Sequence, residues 1–337
     1  EVMRNFRLGA LAVCTALAAA VALGACSREL VAESGANSQS AANLDIDRIA
    51  SVLSATNDAM TKADSELDTA PLSGRVSQGA LEARGAQYAL AKASGNAITP
   101  LDFTTSSRIA ITNSESWPRA IFHITESDSS SSALPVLEVF VQDSARSEYQ
   151  LTSWARLLGG TQFVLPPVGT GSAYVTGDQS GFVSSPEMAL TQYITMINSG
   201  TQDTSVFTAD EFTKKYIDDI SSLNSSVSAA GTVTAQASAT DYPVSGLVLQ
   251  DGSALVSANF TYTLTYQRTV AGSTMTLGGQ TASLSADGAT VEGTATVKYI
   301  GTVVMRIPSG TAGGQIQVVG GERLIQSVTL DSSSKPD

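Results

Sequence analysis

Ser253-Ala254-Leu255-Val256-Ser257-Ala258-Asn259-Phe260-Thr261-Tyr262-Thr263-Leu264-Thr265-Tyr266-Gln267-Arg268-Thr269 carries the clearest pattern in the chain. Ala254, Val256, Ala258, Phe260, Tyr262, Leu264 and Tyr266 alternate with Ser257, Asn259, Thr261, Thr263, Thr265 and Gln267. A period of two sends successive side chains to opposite faces, so the stretch predicts a long strand with one buried and one wet face. Asp251-Gly252 ahead of it is a tight-turn dipeptide. Thr294 to Ile307 behaves alike, with Ala295, Val297, Tyr299, Val303, Met305 and Ile307 inward. Gln315–Val319 and Glu322–Leu330 flank Gly320-Gly321 and read as a further hairpin. Almost everything after Leu223 reads as strand.

Helices precede these strands. Ser185-Pro186-Glu187 has the form of a helix start, with Met188, Leu190, Tyr193, Ile194 and Ile197 as the apolar face and Gly200 as the stop. Asp210 to Leu223 makes another helix, with Phe212, Tyr216, Ile217 and Ile220 inward. The same order occurs in the N-terminal half. Ile46, Ile49, Leu53, Met60, Ala63 and Leu67 recur at helical steps with Thr56 in the gap, and Asn43 or Asp45 is the expected N-cap. Pro71 and Gly74 end that helix, and Val76–Ser94 forms the next. Strands follow at Ile109–Ile111, Ala120–Thr125, Leu134–Gln142 and Tyr149–Leu158, the last two joined as a hairpin. Helices followed by an antiparallel meander give an α+β class, not βαβ alternation. Pro166-Pro167 with Gly169, Gly171, Gly177 and Gly181 separates the halves. Two α+β domains are therefore expected, 44–165 and 186–337, joined by a linker at 166–185. A curved antiparallel sheet wrapped on helices resembles cystatin-like or nuclear-transport-factor-like folds, an analogy of fold alone.

The N-terminus decides location. Arg4 and Arg7 precede an apolar run from Leu8 to Leu23, the order of a secretory signal peptide. The run is shorter than the roughly 20 residues that span a bilayer. Met3-Arg4-Asn5-Phe6-Arg7 reads as a natural start. Leu23-Gly24-Ala25-Cys26 resembles the lipobox of bacterial lipoproteins at all four positions. That resemblance implies a signal peptide over 1–25, cleavage between Ala25 and Cys26, and a diacylglyceryl thioether on Cys26. Residues 26–43 are then the lipidated Cys and a flexible Ser-, Ala- and Asn-rich tether. Two acyl chains meet the minimum for stable anchoring. With its tether and the Trp117-Pro118-Arg119 turn, the chain resembles uncharacterised actinobacterial lipoproteins, a family that brings no activity to carry over. The expected location is the cell membrane, lipid-anchored on its extracytoplasmic side.

Composition narrows the function. The 19 basic and 31 acidic residues become 17 and 30 once Glu1, Arg4 and Arg7 leave with the signal, a net charge of −13. Such a chain repels nucleic acid and anionic lipid, so the lipid on Cys26 is the only membrane attachment expected. Cys14 falls in the signal and Cys26 carries lipid, so the mature monomer has no disulfide. The sole histidine, His123, lies mid-strand with no recognisable catalytic partner, and no Gly-x-Ser-x-Gly elbow exists. One His and no free Cys exclude the usual zinc sets, and no EF-hand spacing occurs. Glu126, Glu138, Asp143 and Glu148 cluster around the first meander and are the one carboxylate set that could serve glycoside hydrolysis. Asp218-Asp219 reads as a solvated helix face. Gly169-Thr170-Gly171-Ser172 and Gly313-Gly314 read as turns, since neither has the Lys-Ser/Thr of a phosphate loop. Trp117 and Trp154 read as core or rim packing. The expectation is a non-catalytic binding or assembly module of the cell envelope, without cofactor or metal. It would take an envelope protein, or a small ligand in the cup of a curved sheet. The alternatives are a transporter-linked solute-binding lipoprotein and a cell-wall hydrolase using a carboxylate pair.

Overall fold

Helical spacing and capping set the first two helices. The computed structural model describes residues 41–104, 108–126 and 133–337; Ala25, Cys26 and nearly all of the tether lie outside the described residues. Helix α1 (Ile46–Glu66) buries Ile49, Leu53, Thr56, Met60 and Ala63. Asp45 caps it by accepting from the Arg48 amide at 2.9 Å. Asn43, the other cap candidate, instead accepts from Thr112 Oγ1 at 2.7 Å. Helix α2 (Gln78–Ser94) ends on Gly95. Arg84 of α2 is fully buried and donates to both oxygens of Asp64 at 3.0 and 2.6 Å, while the Tyr88 hydroxyl donates to the same carboxylate at 2.6 Å. This two-pronged geometry locks α1 to α2.

Strands β1 (Arg108–Ile111), β2 (Arg119–Ile124), β3 (Val136–Gln142) and β4 (Gln150–Leu157) follow as an antiparallel meander. After the two-residue β5 (Tyr174–Val175) come helices α3 (Pro186–Ser199) and α4 (Glu211–Val227). Ser185 and Asp210 cap them by accepting from the Met188 and Thr213 amides. The chain continues through β6 (Gly231–Ala239), β7 (Ser245–Val248), β8 (Ala254–Arg268), the short helix α5 (Gly279–Leu284), β9 (Thr294–Ile307) and β10 (Gln317–Asp331). The class is α+β with an antiparallel sheet. β9 occupies the residues its alternation predicts, and it pairs with β8 without a register break from Ala254↔Ile307 to Gln267↔Thr294. Helix α5 falls where only strand was expected; six residues are too few for a periodic signal against the strands around them.

The two halves share one sheet, which corrects the expectation of a sheet for each. Its order is β1-β2-β3-β4-β10-β9-β8-β7-β5, with β6 beside β8. The junction lies where Leu157 and Arg156 of β4 pair with Gly320 and Gly321 of β10. β2 and β7 are distant in that order yet touch, so the sheet curls back on itself. Phe122, Val139 and Leu157 of the first meander share a core with Leu247, Leu255 and Val304 in the fold of the curl. For this reason β8 is buried on both faces from Ala254 to Phe260 and alternates only from Thr261 onward. Ser257, on the face expected to be wet, has its hydroxyl 2.8 Å from that of Ser153 on β4. Ser40–Asp337 form one compact unit. The segment 166–185 is not a hinge but a connection laid over that unit: Ser172 bridges to Thr112, and β5 pairs with β7. Proline and glycine mark any irregular surface path, and here the path stays bonded to the body.

Gly320-Gly321 is likewise not a hairpin turn, because β10 continues through it, with a register shift against β9 between Val318 and Gly320. The glycines serve close approach. A Cβ on Gly321 would lie 2.3 Å from the Phe212 ring of α4. Gly79 does the same in α2, where a Cβ would fall 2.2 Å from the Asn259 side chain of β8. Helix α2 thus packs on one face of β10, and α4 lies over the other.

The free edge of β6 is closed by side chains. Asn224 of α4 donates to the Val233 carbonyl at 2.6 Å and accepts from its amide at 2.9 Å. Asn198 of α3 makes the same pair of bonds with Ala237, at 2.9 and 2.7 Å. Each carboxamide occupies backbone groups that another strand would otherwise use.

Candidate ligand cup beneath helix α4

Phe212, Tyr216, Asp219 and Leu223 follow one another on α4 at steps of four, three and four, so they share the face turned to the sheet. Below the C-terminal half of α4, the sheet presents Tyr262, Leu264 and Tyr266 from β8, Tyr299 from β9 and Arg323 from β10. Thr276, Leu277 and Thr281 close the far side. The space enclosed is about 560 Å³, within the range of small-molecule sites. A smaller space of about 270 Å³ lies under the N-terminal half of α4, against Phe212, Tyr216 and Gly321. Arg323 lines both and stands between them.

Arg323 sits among aromatic rings. Its guanidinium carbon lies 4.6 Å from the ring centre of Tyr216, 5.6 Å from Tyr262 and 5.3 Å from Tyr299. Tyr216 and Tyr262 meet edge to face at 4.7 Å. Its Nη2 donates to Asp219 at 2.6 Å, and Asp219 also accepts from Lys215 at 3.3 Å. Nε and Nη1 of Arg323 have no protein acceptor among the described residues. The hydroxyls of Tyr216 and Tyr262 are buried without a hydrogen-bond partner. Arg323 and Tyr262, on the larger space, and Tyr216, on the smaller, thus hold donors that the protein leaves without acceptors.

Electrostatics keeps these groups in donor form. Burial pushes the Tyr262 hydroxyl up to about 12 and raises Tyr216, Tyr266 and Tyr299 as well, so all four remain neutral at physiological pH. Burial works against the charge of Arg323, but Tyr216, Asp219 and Tyr262 outweigh it and hold its pKa above the ordinary value. The cup therefore carries a permanent cation framed by neutral phenols. Another hollow, of about 460 Å³, contains Arg306. That guanidinium is fully engaged: Nε donates to Ser253, Nη1 to Gln317 and Nη2 to Asp251. It offers a ligand nothing comparable.

The model of a family described as Domain of unknown function (DUF8094) matches residues 47–327. The chain belongs to that family. The DUF8094 match runs from α1 into β10 and takes in both walls of the cup, from Tyr216 to Arg323, while Cys26 precedes it. Neither a curated protein nor a solved structure matches the chain.

The sequence had pointed elsewhere within this DUF8094 chain. Of the four acids around the first meander, Glu138 is fully buried, Glu148 is exposed beside Arg75 at 3.3 Å, and Glu126 and Asp143 are exposed. Trp154 is core, whereas Trp117 is 38% exposed with Arg119 stacked 4.4 Å over its ring. Asp218 pairs with Lys214 on the solvent side, but Asp219, read as surface, belongs to the cup. Among the described residues no group of three or more His, Cys, Asp or Glu could hold a metal, and no helix is long and apolar enough to cross a membrane.

His123 does have a partner, contrary to the sequence reading. It faces Glu138 across β2 and β3, with Nδ1 2.7 Å from Oε2 and both side chains fully buried. Nε2 lies 2.7 Å from the Thr104 carbonyl, so that nitrogen donates its hydrogen. The remaining proton is shared between Nδ1 and the carboxyl. Burial pushes Glu138 up to about 7 against the pull of His123. Burial opposes the charge of His123, but its bond to Glu138 wins and raises it. The pair is sealed from solvent and acts as a cross-strand lock.

Two signals for the cup existed in the sequence. Asp219 keeps helical step with Tyr216 and Leu223, and Arg323 has the parity of Ile325, an inward residue of β10. Neither signal identifies a cavity without the three-dimensional pairing of α4 with β10.

Proposed function

We propose that this chain is a lipid-anchored, extracytoplasmic binding module of the cell envelope, held to the membrane through Cys26, which takes a small ligand in the cup beneath α4. The observation that carries this reading is the cup itself: Arg323 with unused donors, ringed by tyrosines, inside a cavity of ligand size. The lipobox residues Leu23-Gly24-Ala25-Cys26 support the anchor. The burial of His123 with Glu138, and the separate fates of Glu126, Asp143 and Glu148, support a binding role over hydrolysis.

Two measurements test the reading. Cys26→Ala should shift the protein from the membrane fraction to the medium, or leave it as uncleaved precursor. Unchanged anchoring at mature size would remove the lipid from the proposal. For the cup, a thermal-shift screen of the chain from Ser27 onward should return compounds whose effect vanishes in Thr281→Trp, which fills the cavity. Hits that act equally on both proteins would move the site elsewhere.

A further inference from the structure

Given that the cup is a ligand site, its donors restrict what can enter. Arg323 spends Nη2 on Asp219 and keeps Nε and Nη1, on separate edges of the guanidinium, as two single donors for the oxygens of an anion. Tyr262, whose ring lines the cup, and Tyr216, which lines the smaller space beside it, hold protonated hydroxyls without a protein acceptor. Asp219 is the one carboxylate lining the cavity and is already held by Arg323 and Lys215. The sheet side of the cup is aromatic and apolar, with Tyr262, Leu264, Tyr266 and Tyr299, while serines of α4 and threonines at and before α5 add hydroxyls to the other walls. Aromatic faces stack planar or hydrocarbon bodies.

We propose that the cup selects an amphiphilic small anion: one carboxylate, sulfonate or phosphate group on Arg323, joined to a flat apolar body lying against the tyrosines. Within the cup, Arg323 supplies charge selectivity and the tyrosines supply affinity for the body. Asp219 competes with the ligand for the guanidinium and thereby limits affinity. A neutral ligand of the same shape would leave two desolvated guanidinium nitrogens unmatched, so the site discriminates against it.

The test uses two fluorescent probes sharing one aromatic body, 8-anilinonaphthalene-1-sulfonate and uncharged N-phenyl-1-naphthylamine. Each is titrated into the chain from Ser27 onward, which contains the whole compact unit. The sulfonate should bind at one site per chain, more tightly than the neutral probe, and more weakly as salt rises. Arg323→Gln should weaken the sulfonate about tenfold or more, the loss expected for a charged hydrogen-bonding pair, and leave the neutral probe unchanged. Asp219→Asn should act in the opposite direction and tighten the sulfonate, which loss of fold cannot mimic. Equal binding of both probes at the cup, indifferent to Arg323→Gln and Asp219→Asn, would overturn the anion selectivity while leaving the cup a ligand site. Binding of neither probe, or binding unaffected by Thr281→Trp, would overturn the cup together with the selectivity.

Discussion

At the scale of single residues, the chain pairs its inward ionisable groups in three ways. Arg84 and Asp64 form a closed lock in which three nitrogens of the guanidinium find acceptors. Arg323 and Asp219 form an open one that leaves donors unused. His123 and Glu138 form a third arrangement, a sealed pair holding a shared proton, and this has a consequence for pH. Glu138 is raised from 4.5 to about 7 and His123 is raised above 6.5, so in both cases the folded state keeps its proton longer than the unfolded chain does. Their contribution to stability is present below pH 4.5 and falls as pH climbs through about 7 and beyond. Urea midpoints measured from pH 5 to pH 8 should therefore fall more steeply in the wild type than in Glu138→Gln, whose amide does not titrate. Identical slopes would show that the pair exchanges no proton on unfolding. The sequence hid this pair because β2 and β3 are set face to face by register, and residues 123 and 138 carry no local mark of it.

At the scale of elements, patterning and caps carried most of the information. β9, α1 and α3 were legible because alternation, helical steps and the Ser185 cap are local properties. Helix α5 and the unbroken β10 were not. A Gly-Gly pair is indistinguishable in sequence from a turn when its cause is the Phe212 ring of a distant helix. The wet face assigned to the first half of β8 failed for the same reason, since Ser257 and Asn259 are covered by β4 and α2. The edge of β6 supplies a prediction at this scale. Asn198→Ala with Asn224→Ala frees the amide and carbonyl of both Val233 and Ala237, and bare edge groups template further strands. Light scattering behind size exclusion should show the double variant self-associating at concentrations where the wild type keeps its mass. If both proteins elute with the same mass, the two carboxamides have no such guarding role.

At the scale of the molecule, the shared sheet makes the halves interdependent. Leu157, Leu255 and Val304 belong to one core although they come from both sides of residues 166–185. Unfolding followed by the fluorescence of Trp154 and by far-ultraviolet dichroism should give coincident single transitions, and proteolysis should not split the chain there into two resistant pieces. Two separated transitions would restore the two-domain picture. The same sheet carries the cup: α2 and α4 both pack on β10, and α4 covers the stretch of β8, β9 and β10 that lines it. The most direct test of that cup as a binding site is native mass spectrometry of protein released from its own membranes. Wild-type protein should retain a non-covalent small molecule that Thr281→Trp, equally folded and equally lipidated, does not carry. Bare wild-type protein, or the same adduct on both proteins, would contradict a ligand-binding role for the space beneath α4.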